Sequence, residues 1–129
     1  MNRAVQEDIL LVEPSSLTGS IIVATARQLQ MPPVRQVSSV RSAQHQLTRK
    51  DFSGVIVSLE EEHEAVALLE QVRNAQLAVH AQVPVAVTTA QVDASTAVQM
   101  KALQVRRVLL KPFKVRDVIS TIQMLRNPG

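Results

Sequence analysis

Ile9-Leu10-Leu11-Val12-Glu13-Pro14-Ser15-Ser16 is the stretch from which the fold can be read. Four apolar residues without alternation fit a strand buried on both faces, as in a parallel sheet covered by helices. Pro14 cannot donate to a sheet ladder and ends the strand. Ser15 or Ser16 offers a hydroxyl acceptor to the first turn of a helix. That helix is predicted from about Leu17 to Gln30, with Leu17, Ile21, Ile22, Ala26 and Leu29 as its apolar side. Met31-Pro32-Pro33 stops it, because the residue before a proline is pushed out of the helical region.

The same strand-then-helix unit recurs downstream. Val34–Val37 is a second strand, and Ser39 caps a helix with Val40, Ala43 and Leu47 on one face. Val55-Ile56-Val57 follows the Ser53-Gly54 turn. After an acidic loop, Ala65, Leu68, Leu69 and Val72 recur at helical spacing. Val83–Val87 reads as a fourth strand with Pro84 among its first residues, and Asp93 or Ser95 starts a helix carrying Ala97, Val98 and Leu103. Val108-Leu109-Leu110 is a fifth strand, Lys111-Pro112 breaks the chain, and Val115, Val118, Ile119, Ile122 and Leu125 form the last helical stripe. Five such units predict one α/β domain over residues 1–129: a doubly wound five-stranded parallel sheet, order 2-1-3-4-5, with five helices.

Composition narrows the function classes. With 46% apolar and 19% charged residues in 129, the chain is not a disordered one. There is no Cys, which removes disulfide, thiolate and iron–sulfur chemistry. There is no Trp or Tyr, and the only aromatic rings are Phe52 and Phe113, which argues against base or sugar stacking platforms. The longest apolar run, Ala65–Leu69, is far short of a membrane span, and no apolar signal core follows the N-terminus, so the expectation is a cytoplasmic protein without membrane association. The net charge of +3 is mild but segregated. Residues 51–70 hold Asp51, Glu60, Glu61, Glu62, Glu64 and Glu70 with no Lys or Arg. Residues 93–129 hold Lys101, Arg106, Arg107, Lys111, Lys114, Arg116 and Arg126 against Asp93 and Asp117. Such segregation steers a partner of opposite sign.

Ligands of a doubly wound sheet bind beyond the carboxyl ends of its strands. There the sequence delivers Glu13, Pro14, Ser15 and Ser16 from the first strand and Ser58, Leu59 and Glu60 from the third. The fourth supplies Thr88 and Thr89, and the fifth Lys111 and Pro112. A magnesium site needs converging carboxylates, and only Glu13 is well placed, with Glu60 farther off. His45, His63 and His80 fall on helices or loops without metal-ligand spacing. No catalytic residue, metal or cofactor is expected.

Taken together, these residues resemble the receiver domain of two-component response regulators, of the flavodoxin-like, chemotaxis-type fold. The resemblance runs from Asp8 to about Leu125 and is carried by Val108-Leu109-Leu110-Lys111-Pro112-Phe113, by Pro84-Val85-Ala86-Val87-Thr88-Thr89-Ala90 and by Ile9-Leu10-Leu11-Val12-Glu13. It implies a degenerate phosphoacceptor site. Glu13 matches the family's first acidic residue, but the second, its main metal ligand, falls on Pro14. The acceptor aspartate falls on Ser58, and the switch aromatic on Val108. Thr89 keeps the residue that hydrogen-bonds the phosphoryl group in the family, and Lys111 the one that pairs with the acceptor. The resemblance also implies a cis Lys111-Pro112 bond, and an ion pair of Lys111 with Glu13 is expected.

The reading that follows is a pseudo-receiver: not an enzyme, but a module of two-component signal transduction, or of a phosphorelay, that works by phosphorylation-independent protein–protein interaction. Its partner-binding face would be helix 4, strand 5 and helix 5, with Lys101, Arg106, Arg107, Lys114 and Arg116, meeting a signalling protein or output domain with an acidic surface, or a second copy in a homodimer. One alternative is the N-terminal receiver of a longer transcriptional regulator whose output domain would follow residue 129. Another is a flavodoxin-like FMN-binding protein, with Ser16–Ser20 as a phosphate loop. Direct nucleic-acid binding is disfavoured by the small net charge and the lack of a binding motif.

Overall fold

The computed structural model describes residues 8–126. Five parallel strands lie in the order β2-β1-β3-β4-β5: β1 Ile9–Val12, β2 Val34–Val37, β3 Gly54–Ser58, β4 Val85–Thr89 and β5 Arg107–Leu110. Helices α1 (Ser16–Gln28), α2 (Val40–Arg49), α3 (Glu62–Arg73), α4 (Ala94–Ala102) and α5 (Val115–Arg126) form the crossovers. Ile9–Val12 are 0–2% exposed, as a strand covered on both faces requires. Two apolar layers flank the sheet. One joins Leu10, Val12, Val55 and Val57 to α2, α3 and the end of α4; the other joins Ile9, Leu11 and Ile56 to α1 and α5. Each fully buried Leu or Ile contributes about 1.5–3 kcal/mol to this arrangement.

Local chemistry sets the helix ends as the sequence predicts. The Ser15, Ser39 and Asp93 side chains accept from the backbone N–H of Thr18, Ser42 and Thr96, capping α1, α2 and α4. Burial would raise the Asp8 carboxyl, but hydrogen bonds from Arg35 (2.9 Å) and Lys50 (3.0 Å) hold it below the ordinary aspartate value. The pair with Arg35 tethers edge strand β2 to the start of β1.

Four local expectations need correction. On α1 the buried face is Gly19, Ile22 and Ala26, whereas Leu17, Ile21 and Leu29 are exposed. The reason is Gly19: a Cβ there would fall on the Gln36 amide, so the bare glycine lets β2 and its side chain press against this face of the helix. On α4 the buried residues are Thr96, Met100 and the following Leu103, while Val98 is 69% exposed. β4 is displaced two residues from Val83–Val87, because pairing with β3 and β5 runs from Val85 to Thr89. The acidic segment is not a loop: Leu59–Glu61 forms a 3₁₀ turn, and Glu62 and Glu64 lie in the first turn of α3, where a helix favours negative charge.

Candidate functional site at the carboxyl edge of the sheet

The register brings the residues singled out in the sequence to one edge. Val12 pairs with Val57, Ser58 with Thr88, and Thr89 with Leu110, so Glu13, Ser58, Thr88, Thr89 and Lys111 leave the sheet together. They adjoin an open cleft of about 290 Å³ lined by Glu13, Ser15, Thr18, Glu60, Lys111, Pro112 and Phe113. The Lys111-Pro112 bond is cis, as the resemblance implies.

Glu13 is 3% exposed, and its Oε2 accepts the Ser15 backbone N–H at 2.9 Å. The Gln36 amide crosses over to donate to the carbonyls of Glu13 (3.2 Å) and Ser15 (3.5 Å), fixing the turn. Ser58 is 2% exposed. Its Oγ accepts from Lys111 Nζ at 3.3 Å and from the Glu60 N–H at 3.3 Å. The expected partner of Lys111 is therefore wrong: the ammonium bonds Ser58 and lies 3.8 Å from Glu60 Oε2, because Glu13 already spends its carboxylate on the adjacent turn. The Thr89 hydroxyl donates to the Gln91 carbonyl in its own loop. Pro14 is exposed and adds no donor. A divalent cation does not fit this set: Glu13 is committed to its turn, Glu60 lies beside the Lys111 ammonium, and a proline and a hydroxyl bonded to that ammonium stand where further oxygen anions would be needed. Among the described residues no three His, Asp or Glu are grouped so as to hold a metal.

Beside Ser58, the Thr88 Oγ is buried without a hydrogen-bond partner. An unpaired hydroxyl costs its desolvation, so Thr88→Val, which keeps the β-branched shape, is expected to stabilise the chain by about 1 kcal/mol in urea denaturation. A loss of stability instead would show that the hydroxyl has a partner.

The five cations expected to form a docking face fall into two groups. Lys101, Arg106 and Arg107 sit at the amino end of β5, and Lys114 and Arg116 beyond its carboxyl end. All are exposed except Arg107, which is half-buried and donates to Thr121 Oγ1 on α5 at 3.3 Å. His45 and His63 are exposed on α2 and α3. His80 pairs with Asp51 at 2.7 Å, near the amino end of β3 and away from the cleft. Burial would raise the Asp51 carboxyl, and the His80 backbone and ring hydrogen bonds bring it below the ordinary value.

Two residues make structural links that no motif in the sequence signals. Glu61 Oε1 accepts the Val40 N–H at 2.9 Å, bridging the start of α3 to the start of α2. Arg73 donates from Nε to the Leu103 carbonyl (2.8 Å) and from Nη1 to those of Ala81 (2.8 Å) and Val83 (2.7 Å). Burial, then the nearby Arg106 charge, lower its pKa.

No protein-family model matches the chain, and no curated protein matches it at a significant level. Solved structures do match. The non-phosphorylated HemR receiver domain from Leptospira biflexa has a TM-score of 0.81 at 18% identity, over 96% of this chain and 97% of that one. A response regulator from Thermotoga maritima has 0.76 at 20%, over 95% and 98%. The receiver domain of the sensor histidine kinase PA1611 from Pseudomonas aeruginosa has 0.74 at 20%, over 95% and 98%, and that protein coordinates magnesium in its active-site cleft. Five parallel strands in the order 2-1-3-4-5 with five helices give this chain the fold of response-regulator receiver domains. No described helix is long and apolar enough to cross a membrane.

Proposed function

We propose that this receiver-fold chain is a pseudo-receiver, a cytoplasmic signalling module that acts by protein contact and carries no phosphoryl group of its own. One observation carries the reading. The position at the carboxyl end of β3 is Ser58, buried and bonded to Lys111; of the two carboxylates that line the cleft, Glu13 is committed to its own turn and Glu60 lies against the Lys111 ammonium. A hydroxyl at this place forms no acyl phosphate, and one carboxylate held in a turn with another beside an ammonium does not assemble a magnesium site. Docking falls to the α4–β5–α5 side. There Lys101, Arg106, Lys114 and Arg116 are exposed around the exposed apolar Val98 and Leu110, a basic surface for an acidic partner.

The experiment combines intact mass and partner capture. Acetyl phosphate with Mg²⁺ is expected to leave the mass unchanged, and the partner captured from the native host is expected to be the same with and without that treatment. Arg106→Glu with Arg116→Glu is expected to abolish capture. A stoichiometric phosphoryl adduct, or capture indifferent to the charge reversal, overturns the reading.

A further inference from the structure

A wide groove lies on the opposite layer from α1 and α5, between α2 and α3. It has a volume of about 560 Å³, and Val40, Ala67 and Leu68 give it apolar ground. Glu61, Glu64 and Glu70 line it against a single cation, Arg41. Glu61 is committed to the Val40 N–H, but Glu64 and Glu70 hold no side-chain hydrogen bond or ion pair among the described residues. The complementary set is on the same molecule. On α4, Val98 and Lys101 are exposed and one turn apart, and Arg106 is exposed just beyond the helix. Lys101 and Arg106 are likewise without an ion pair among the described residues. Long basic side chains lay their aliphatic stems on apolar ground and reach outward with their charge, which is the shape this groove accepts.

We propose that the α2–α3 groove receives the outer face of α4 from a second copy of this chain, with Glu64 and Glu70 meeting Lys101 and Arg106 and Val98 resting on Ala67. The proposal rests on the docking reading above, since α4 belongs to the same basic side. One copy offers a groove and a face that differ, so copies add head to tail, or two copies exchange both contacts about a two-fold axis. A contact of this size and polarity is weak and salt-sensitive.

Sedimentation velocity on the full chain tests it at low (about 20 mM) and high (about 500 mM) salt. At low salt the average mass is expected to rise with concentration above the 14.2 kDa monomer, and at high salt to return to it. Glu64→Lys with Glu70→Lys, and separately Lys101→Glu with Arg106→Glu, are each expected to be monomeric while keeping the wild-type circular dichroism. Their equimolar mixture is expected to associate, because each supplies the charge the other has reversed. A wild-type chain monomeric at every concentration overturns the proposal, as does a groove variant that associates like wild type, which would mark a two-fold contact through the basic side. If self-association is absent while charge reversal on the basic side still abolishes partner capture, this proposal falls and the docking reading stands.

Discussion

Arg73→Met is expected to lower the unfolding free energy by roughly 3 kcal/mol, the largest loss from any single side chain outside the apolar layers. Methionine keeps most of the apolar stem and removes the donors. The guanidinium makes three hydrogen bonds of 2.7–2.8 Å to carbonyls from two separate segments, the approach to β4 and the end of α4. A charged donor in such a bond contributes about 1.5–3 kcal/mol, and losing several at once is less than additive. The effect is concentrated because α4 has little else. Only Thr96 and Met100 of its own residues are buried, with Leu103 just after it. Urea denaturation gives the total. Hydrogen exchange gives its distribution: amides of α4 are expected to lose protection before those of β1 and β3. Arg73→Lys, with one charged head for three carbonyls, is expected to fall between. An Arg73→Met chain within 0.5 kcal/mol of wild type would mean that those carbonyls find water equally well.

Arg73 also shows what the sequence could and could not say. Its partners are backbone carbonyls, which every residue carries, so no pairing signal exists to be read. Glu61, whose partner is a backbone N–H 21 positions earlier, is opaque for the same reason. What was legible is whatever repeats locally: the unbroken apolar run of β1, the hydroxyl and carboxylate caps, and the α5 stripe, in which Val118, Ile119, Ile122 and Leu125 are all buried. Those features sufficed for the strand order, because alternating strands and helices admit few right-handed arrangements. The faces of α1 and α4 depart from the apolar pattern because side-chain size does not select the buried side there. On α1 a glycine next to Gln36 sets the contact, and on α4 Thr96 and Met100 do, leaving Leu17, Ile21 and Val98 outside. At the cleft, position was legible and pairing was not. The strand ends had to deliver Glu13, Ser58 and Lys111 to one edge, but the turn that occupies Glu13 with the Ser15 N–H is a matter of backbone conformation.

The second large effect is a gain. Pro14→Asp with Ser58→Asp is expected to make the stability of the chain depend on magnesium, and the wild type is expected to show no such dependence. Lys111 Nζ is 3.3 Å from Ser58 Oγ, so a carboxylate at 58 lies within reach of the ammonium, and Ser58→Asp alone is expected to form an ion pair and little more. Adding a carboxylate at 14 places three acids at the same strand ends, with Glu13 already buried there. Like charges this close oppose one another's ionisation and destabilise the fold, unless a hard cation binds and supplies the missing positive charge. At a hundred times its dissociation constant a bound ion adds about 2.7 kcal/mol, a shift easily read in thermal unfolding with and without MgCl₂. The same double variant, and neither single one, is expected to take up a phosphoryl group from acetyl phosphate by intact mass. If it folds and stays indifferent to both reagents, then the turn after β1, held by Gln36 on the carbonyls of Glu13 and Ser15, closes the site whatever side chains it carries. If it responds, Pro14 and Ser58 are what separate this cleft from one that holds magnesium and a phosphoryl group, and the rest of the edge already has the geometry for both.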